Sequence, residues 1–234
     1  MNEFIKIFIN LFINFFVLVV TISVQSLVWI FKRIIEAINL SPKSFEKTTS
    51  DLPIIWNKIT DDVVIFDLET TGLKSNKVPV DIVEIAAIKF SKKGLKEKQE
   101  TTSFYALIKP HRGGINKDAA RINGITQRMI DKDGEDAEKV IEEFIEFVGK
   151  KRLVAYNVNF DRWFLQREIS HWGIKKQFKY ECAYELSREA FDGLENYKLT
   201  TVARNLGLPT EGAHRALHDC IMTLWVYLVA KSKV

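Results

Sequence analysis

Four acidic residues and one histidine have the types and local settings that chemistry at a phosphate group requires. They are Asp67 and Glu69 in V-I-F-D-L-E-T-T-G, Asp161 in A-Y-N-V-N-F-D, and His214 with Asp219 in H-R-A-L-H-D. Carboxylates gathered in one site cannot all stay ionised unless divalent cations are bound among them. Divalent ions held in this way polarise phosphoryl oxygens and activate water. These residues therefore predict metal-assisted cleavage of a phosphodiester, which is the chemistry of a nuclease.

The first three carboxylates are predicted to lie at the edges of buried elements. Asp67 follows the apolar run Val63–Phe66, and Glu69 lies two residues further on. In an extended chain, residues i and i+2 project to the same side, so both carboxylates can face one ion. Asp161 follows the short apolar strand Leu153–Ala155. The alternatives are a solvated strand end for the first pair and a helix N-terminal carboxylate that complements the dipole for Asp161.

The last motif combines a carboxylate with two histidines. Asp219 lies on the apolar face of a helix predicted from about Ala216 to Lys231, where an unpaired carboxylate would be costly. His214 would lie about 140° away on an unbroken helix, so the two converge only if the helix begins after His214. An imidazole on that loop is a suitable general base. His214 and His218 also have the spacing of a zinc-binding helix, which leaves a zinc hydrolase as a weaker alternative.

The composition indicates a folded, mildly basic chain with room for one domain and an appendage. The chain has 234 residues, of which 47% are hydrophobic and 27% charged, and its net charge is +4. This composition argues against disorder. Two cysteines, Cys182 and Cys220, provide neither a disulfide framework nor a zinc-ligand spacing. Two bound divalent ions would make the domain more positive, which suits an anionic polymer.

An uncharged apolar stretch from Ile7 to Phe31 is long enough to cross a bilayer as a helix, which takes about 20 residues. We therefore predict a membrane anchor over residues 1–38, a linker over residues 39–56 and a globular domain that contains the nuclease motifs over residues 57–234. A cleaved signal peptide and a helix lying in the membrane surface are the alternatives. Basic residues concentrated after the stretch, such as Lys32 and Arg33, predict that the domain lies on the cytoplasmic side.

One face of the same stretch is polar. It is formed by Asn10, Asn14, Thr21 and Gln25. In a spanning helix, these side chains can hydrogen-bond to a partner helix, which predicts self-association within the membrane. In a surface helix, they would instead face water.

The periodicity of residues 57–234 predicts strands first and then alternating helices and strands. The predicted strands are Val63–Phe66, Ile82–Phe90, Phe104–Ile108 and Leu153–Ala155, with the second and third joined by a hairpin around Gly94. The predicted helices are Ala137–Val148, Phe160–Ile169, Leu199–Leu206 and Ala216–Lys231. This order favours an α/β domain with a mixed sheet.

Together the motifs resemble the DEDDh family of 3′–5′ exonucleases, which is named after four acids and a histidine. Within that family, the similarity is greatest to the proofreading, epsilon-type subunits of bacterial DNA polymerase III and their free-standing relatives. It extends over residues 61–230 and includes D-I-V-E-I-A-A-I, A-L-I-K-P, A-A-R-I-N-G-I-T and L-T-T-V-A-R-N-L-G-L. The resemblance implies a ribonuclease H-like, mixed five-stranded sheet flanked by helices.

The resemblance also implies roles for individual residues. Two Mg²⁺ or Mn²⁺ ions would be bound by the four carboxylates Asp67, Glu69, Asp161 and Asp219. His214 would act as the general base, and nucleoside 5′-monophosphates would be released from single-stranded DNA or short RNA. The substrate-binding residues would be Thr70, Thr71, Gly72, Leu73, Asn157 and Phe160.

Some positions depart from the family pattern. Tyr156 and Asn123 stand where many relatives have histidine, and Glu181-Cys182 replaces a frequent Asp-Thr pair. None of these changes removes a metal ligand, so activity is expected. The alternative from a different class is a non-catalytic protein that binds nucleic-acid ends or acts as a scaffold at the membrane. A proofreading partner of a DNA polymerase is a variant of the exonuclease hypothesis.

Overall fold

The computed structural model describes residues 62–72, 79–90 and 102–234. The predicted membrane anchor, its polar face, the linker and the hairpin around Gly94 lie outside these residues, and the domain boundaries therefore stay predictions. Within the described ranges, no helix combines the length and apolar character that crossing a membrane requires.

A five-stranded mixed sheet forms the centre of the fold, as predicted. Its strands are β1 (Val63–Thr70), β2 (Ile82–Phe90), β3 (Thr102–Leu107), β4 (Arg152–Ala155) and β5 (Tyr180–Cys182). Their order across the sheet is β3-β2-β1-β4-β5. The pairs β1–β2 and β2–β3 are antiparallel, whereas β1–β4 and β4–β5 are parallel. The C-terminal ends of β1 and β4 therefore lie at the same edge of the sheet.

Helices cover both faces of this sheet. They are α1 (Lys117–Asn123), α2 (Gln127–Asp133), α3 (Ala137–Val148), α4 (Val158–His171), α5 (Ala183–Ala190), α6 (Leu199–Asn205) and α7 (Ala216–Lys233). The predicted ribonuclease H-like arrangement of a mixed sheet flanked by helices is thereby confirmed.

The alternation of side chains along β1 separates the two faces. Val64 and Phe66 pack with α3 and α4 in one core, whereas Val63 packs with α7 in the other. Because successive strand residues point to opposite faces, Asp67 and Glu69 continue the face of Val63. The strand therefore presents both carboxylates to the side that α7 covers.

The end of β1 differs from the prediction. The apolar run stops at Phe66, but the strand continues to Thr70, so Asp67 and Glu69 lie within it rather than after it. Backbone pairing to β2 maintains the extension, with Asp67 opposite Ala86 and Glu69 opposite Glu84. The irregularity comes one residue later, between Glu69 and Thr70.

Candidate active site

The last helix brings His214 and Asp219 to the carboxylates of β1. α7 begins at Ala216, so His214 lies outside the helix, which is the condition under which the two side chains can converge. The backbone N–H of His214 donates to both carboxylate oxygens of Asp219, at 3.2 and 3.3 Å. Potential ligand atoms of Glu69, His214 and Asp219 all lie within 4.8 Å of one another.

Asp161 approaches from the opposite face of the sheet. It lies in the first turn of α4, directly after β4, and is 4% exposed. Burial raises the pKa of its carboxyl group to about 7, although backbone N–H groups of Asp161 itself and Leu68 donate to it and oppose the shift. Since Leu68 belongs to β1, this hydrogen bond ties Asp161 to the strand that carries Asp67 and Glu69.

The electrostatics of the cluster show that these carboxyl groups are close together. Burial, followed by the charges of Asp161, Asp219, Glu69 and Glu84, raises the pKa of Asp67 well above its ordinary value. Burial and the neighbouring charges of Glu84 and Asp219 raise the pKa of Glu69 to about 8. Burial and Glu84 raise the pKa of Asp219 to about 7, against a hydrogen bond from the His214 backbone.

Such a cluster fits a divalent cation. Near neutral pH, the repulsion between the carboxylates is relieved either by proton uptake or by a positive ion. Carboxylate oxygens are the donors that Mg²⁺ and Mn²⁺ prefer. Asp67, Glu69, Asp161 and Asp219 are thus the residues that would hold such ions.

The segment after β1, which the resemblance assigns to the terminal nucleotide, is held by backbone hydrogen bonds. Thr71 donates its N–H to the Asp81 carbonyl at 2.9 Å, and its hydroxyl accepts the Asp81 N–H at 2.9 Å. The Thr70 hydroxyl donates to the Gly72 carbonyl at 2.6 Å. Both threonine side chains are buried, so residues 70–72 present their backbone to a ligand. Leu73 lies outside the described residues.

Asn157 and Phe160 lie at the start of α4, beside Asp161. The Asn157 side chain is exposed and makes no capping hydrogen bond to the helix. Phe160 is half-buried, with its ring 4.9 Å from that of Phe164. Tyr156 donates its hydroxyl to the Tyr197 carbonyl at 2.6 Å, which gives this departure from the family pattern a structural role.

The other departures also have structural partners. Asn123 is 4% exposed, and its side-chain oxygen accepts the Ile125 N–H at 3.0 Å. A hydrogen bond from the same side chain acts to lower the pKa of Glu69, against the larger effect of burial. Glu181 pairs with Arg152 at 2.8 Å and Lys231 at 2.7 Å.

A second group of potential metal ligands consists of Asp81, His111 and Glu168. Arg112 lies between the two carboxylates, with its Nη1 atom 2.8 Å from Asp81 Oδ1 and 2.6 Å from Glu168 Oε1. Arg167 donates to Glu168 as well, at 2.9 Å. Although burial opposes it, donation from Arg112, His111 and Arg167 lowers the pKa of Glu168. Because the arginines neutralise the carboxylates, we describe these residues as the Arg112 network, an ion-pair cluster and not a cation site.

The two histidines of the H-R-A-L-H-D motif, His214 and His218, have different environments, and only His214 faces the carboxylates. Within the described part of the chain, His218 belongs to neither group of potential metal ligands. Its ring lies against Gly212, and burial lowers its pKa. The arrangement therefore gives no support to a zinc site formed by His214 and His218.

One buried acid near the site did not emerge from the sequence. Glu84 lies in β2, directly opposite Glu69, and is 0% exposed. The only signal was a glutamate within the otherwise apolar strand I-V-E-I-A-A-I. Its partners lie far away in the chain, so no local pattern identifies them.

The central strand of a mixed sheet presents two acidic residues, Asp67 and Glu69. Two helices add Asp161 and Asp219, and a histidine lies just before the second helix. This arrangement defines the class of metal-dependent nucleases. The family model described as Exonuclease matches residues 64–227. The chain belongs to this exonuclease family, and the prediction of a 3′–5′ exonuclease domain is confirmed at the level of the family. Families of this kind use divalent metal ions.

The similar proteins include two whose names contain DNA polymerase III and one exonuclease of known structure. DNA polymerase III subunit epsilon of Aquifex aeolicus is 30% identical over 173 residues, which cover 74% of this chain and 81% of that protein. The PolC-type DNA polymerase III of Caldanaerobacter subterraneus is 31% identical over 173 residues, but these cover only 12% of its length. E. coli exonuclease I in complex with a dT13 oligonucleotide has a TM-score of 0.62 at 18% identity, over 74% of this chain and 41% of that one.

Proposed function

We propose that this protein is a 3′–5′ exonuclease that removes nucleoside 5′-monophosphates from the 3′ end of single-stranded DNA, with two Mg²⁺ or Mn²⁺ ions. The observation that carries the proposal is the convergence of Glu69, His214 and Asp219, whose potential ligand atoms lie within 4.8 Å of one another. Asp67 and Asp161 belong to the same electrostatic cluster. Membership of the exonuclease family supports the same reaction.

Each group has a distinct task in this proposal. When bound, the divalent ions supply Lewis-acid activation and neutralise charge at the phosphate. Asp67, Glu69, Asp161 and Asp219 hold them. His214 accepts a proton from the attacking water as its oxygen bonds to phosphorus and the bond to the leaving 3′ oxygen breaks. The backbone of residues 70–72 orients the terminal nucleotide.

The choice of DNA over RNA rests on the similar proteins. The epsilon-subunit and PolC-type relatives are named as DNA polymerases, and the exonuclease I structure contains a DNA oligonucleotide. A proofreading role beside a polymerase would use the same site and the same polarity. Short RNA remains the substrate against which DNA is to be compared.

The test is degradation of single-stranded DNA and RNA, each labelled at either the 3′ or the 5′ end, by the full chain with Mg²⁺ or Mn²⁺. We expect the 3′ label to be released as a mononucleotide at once, while the 5′-labelled strand shortens in single steps. Faster loss of DNA than RNA would support the substrate assignment. Cleavage of none of the four substrates would contradict the exonuclease proposal and favour a binding or scaffold protein.

We also propose that the chain is tethered to a membrane, with its nuclease domain on the cytoplasmic side. The support is the uncharged stretch Ile7–Phe31 and the basic residues that follow it. Full-length protein is expected to stay with membranes during extraction at alkaline pH, and protease should reach the nuclease domain only from the cytoplasmic side. Recovery in the soluble fraction would contradict the tether.

A further inference from the structure

Glu84 is a buried carboxylate that the proposed reaction does not use. Its side chain is 0% exposed and lies on the face of the sheet that bears Asp67 and Glu69. A charge in such a position needs partners, because burial without them is strongly unfavourable. The identity of those partners indicates what Glu84 does.

Both oxygens of Glu84 are occupied by donors. Oε1 accepts from Arg215 Nε at 2.9 Å, from Arg215 Nη2 at 2.6 Å and from the Tyr105 hydroxyl at 2.8 Å. Oε2 accepts the backbone N–H of Ala216 at 2.7 Å. Since Ala216 is the first residue of α7, Glu84 binds the start of that helix as well as the residue before it. Its hydrogen-bonding capacity is used here, so it is not a further metal ligand.

The residue next to these contacts has an unusual backbone. His214 has φ of +68°, and among the described residues it is the only one other than glycine with a positive φ. This left-handed conformation brings Cβ close to the following carbonyl oxygen and is unfavourable for any residue with a side chain. It persists only where neighbouring contacts impose it. On one side His214 donates to Asp219, and on the other Arg215 and Ala216 bind Glu84.

We propose that Glu84 and Arg215 are positioning residues, which hold His214 in its left-handed conformation and so direct its imidazole to Glu69 and Asp219. The planar guanidinium of Arg215 donates through two nitrogens to one carboxylate oxygen, which a lysine ammonium cannot reproduce. This inference rests on the proposed role of His214 as general base. Neither residue touches the substrate, and both act through His214.

The test is a double-mutant cycle with Arg215→Lys and His214→Ala in the full chain. Arg215→Lys alone is expected to lower kcat by about 10- to 100-fold with KM unchanged within about two-fold, since small misplacement of a catalytic group costs up to about 100-fold. In the His214→Ala background, the same change should lower kcat by less than about two-fold, because there is no imidazole left to position. An equal loss in both backgrounds would overturn the proposal, as would no loss in the single variant.

The matched control is Arg152→Lys, which alters an arginine–glutamate pair with a similar donor–acceptor distance of 2.8 Å. Arg152 is the first residue of β4, whereas the candidate site lies at the C-terminal end of that strand. Arg152→Lys should leave kcat unchanged within about two-fold, because the Arg152–Glu181 pair contacts α7 at Tyr227 and Lys231, far from the start of that helix at Ala216. Glu84→Gln tests the other partner without changing side-chain size and is expected to reproduce the loss seen with Arg215→Lys. Full activity of Glu84→Gln would contradict the proposal.

A structural measurement separates this inference from the proposed function. In a crystal structure of Arg215→Lys, His214 is expected to leave the left-handed region while α7 keeps its place against the sheet. A His214 that retains its positive φ would overturn the positioning role even if the exonuclease proposal holds. If the wild-type chain degraded no nucleic acid, the proposed function would fail, but this measurement would still decide whether Glu84 and Arg215 impose the conformation.

Discussion

Replacing Asp67 by asparagine is expected to lower exonuclease turnover at least about 1,000-fold, because Asp67 lies at the centre of the carboxylate cluster. Charge stabilisation by metal ions is worth several kcal/mol, and each 1.36 kcal/mol is a factor of ten in rate. Asparagine keeps the size of the side chain but removes the negative charge. The rate of mononucleotide release from a 3′-labelled strand in Mg²⁺ measures the effect.

The same substitution should raise the Tm of the chain in the presence of a chelator. Burial and four neighbouring acids raise the pKa of Asp67 above its ordinary value of 3.8. A group with a raised folded-state pKa contributes stability that is present below the unfolded value and lost as pH rises through the folded value. Asparagine does not titrate, so the gain in Tm of the variant should be absent well below pH 3.8 and grow as the pH rises above that value. Adding Mg²⁺ should reverse the order, since only the wild type binds the ions well.

The control for this variant is Asp133→Asn, which changes an exposed carboxylate at the end of α2. It should alter neither turnover nor the response of Tm to Mg²⁺. Retention of even a tenth of wild-type turnover by Asp67→Asn would contradict the assignment of Asp67 as a metal ligand.

Replacing His214 by alanine is expected to lower kcat by about 100- to 10,000-fold, the range that a general base contributes. Because the imidazole is exposed and its backbone N–H makes the contact to Asp219, the fold and the Mg²⁺ dependence should be retained. Single-turnover measurements at saturating DNA, with circular dichroism on the same samples, test both statements together.

Two other histidines serve as controls for His214→Ala. His171→Ala removes an exposed imidazole that stacks on His111 and should leave kcat within about two-fold of wild type. His218→Ala distinguishes the zinc alternative, since a zinc site would need both histidines of the motif. Equal losses from His214→Ala and His218→Ala would favour zinc, and an active His214→Ala variant would rule out the general-base role.

Most elements of this fold could be predicted from the sequence, including the short β4 and α6, whereas α1, α2, α5 and β5 were not. The amphipathic pattern of Ala137–Val148 predicted α3 with its observed bounds. α1 and α2 have seven residues each, too few for a repeating apolar face, and their signals lie in caps such as Thr126, whose hydroxyl accepts the Met129 N–H. β5 has three half-exposed residues and is defined by its pairing with β4.

The candidate site was predictable where a local motif carried it. His214 and Asp219 share one motif, and the requirement that they converge predicted a helix beginning after His214. The extension of β1 to Thr70 was missed because the two carboxylates interrupt the apolar pattern. The hydrogen bonds to β2 that continue the strand cannot be recognised from the residue types of β1 alone. Glu84 and Arg215 were missed for a related reason, since their contact joins residues 131 positions apart.

The Arg112 network has a consequence for how the protein responds to ionic strength. The Asp81 backbone binds Thr71, and Glu168 lies two turns after Asp161 on α4. Arg112 therefore joins residues 70–72, which are proposed to orient the terminal nucleotide, to the helix that carries the proposed metal ligand Asp161. Asp81 and Glu168 are 1% and 2% exposed, and the Arg112 side chain is 22% exposed. Salt screens such partly buried pairs less than pairs on the surface. Salt weakens the attraction between a protein and a nucleic-acid backbone. Higher salt should therefore lower the rate at which the 3′ end of a strand binds to the site, but it should not alter the alignment of the end once it is bound.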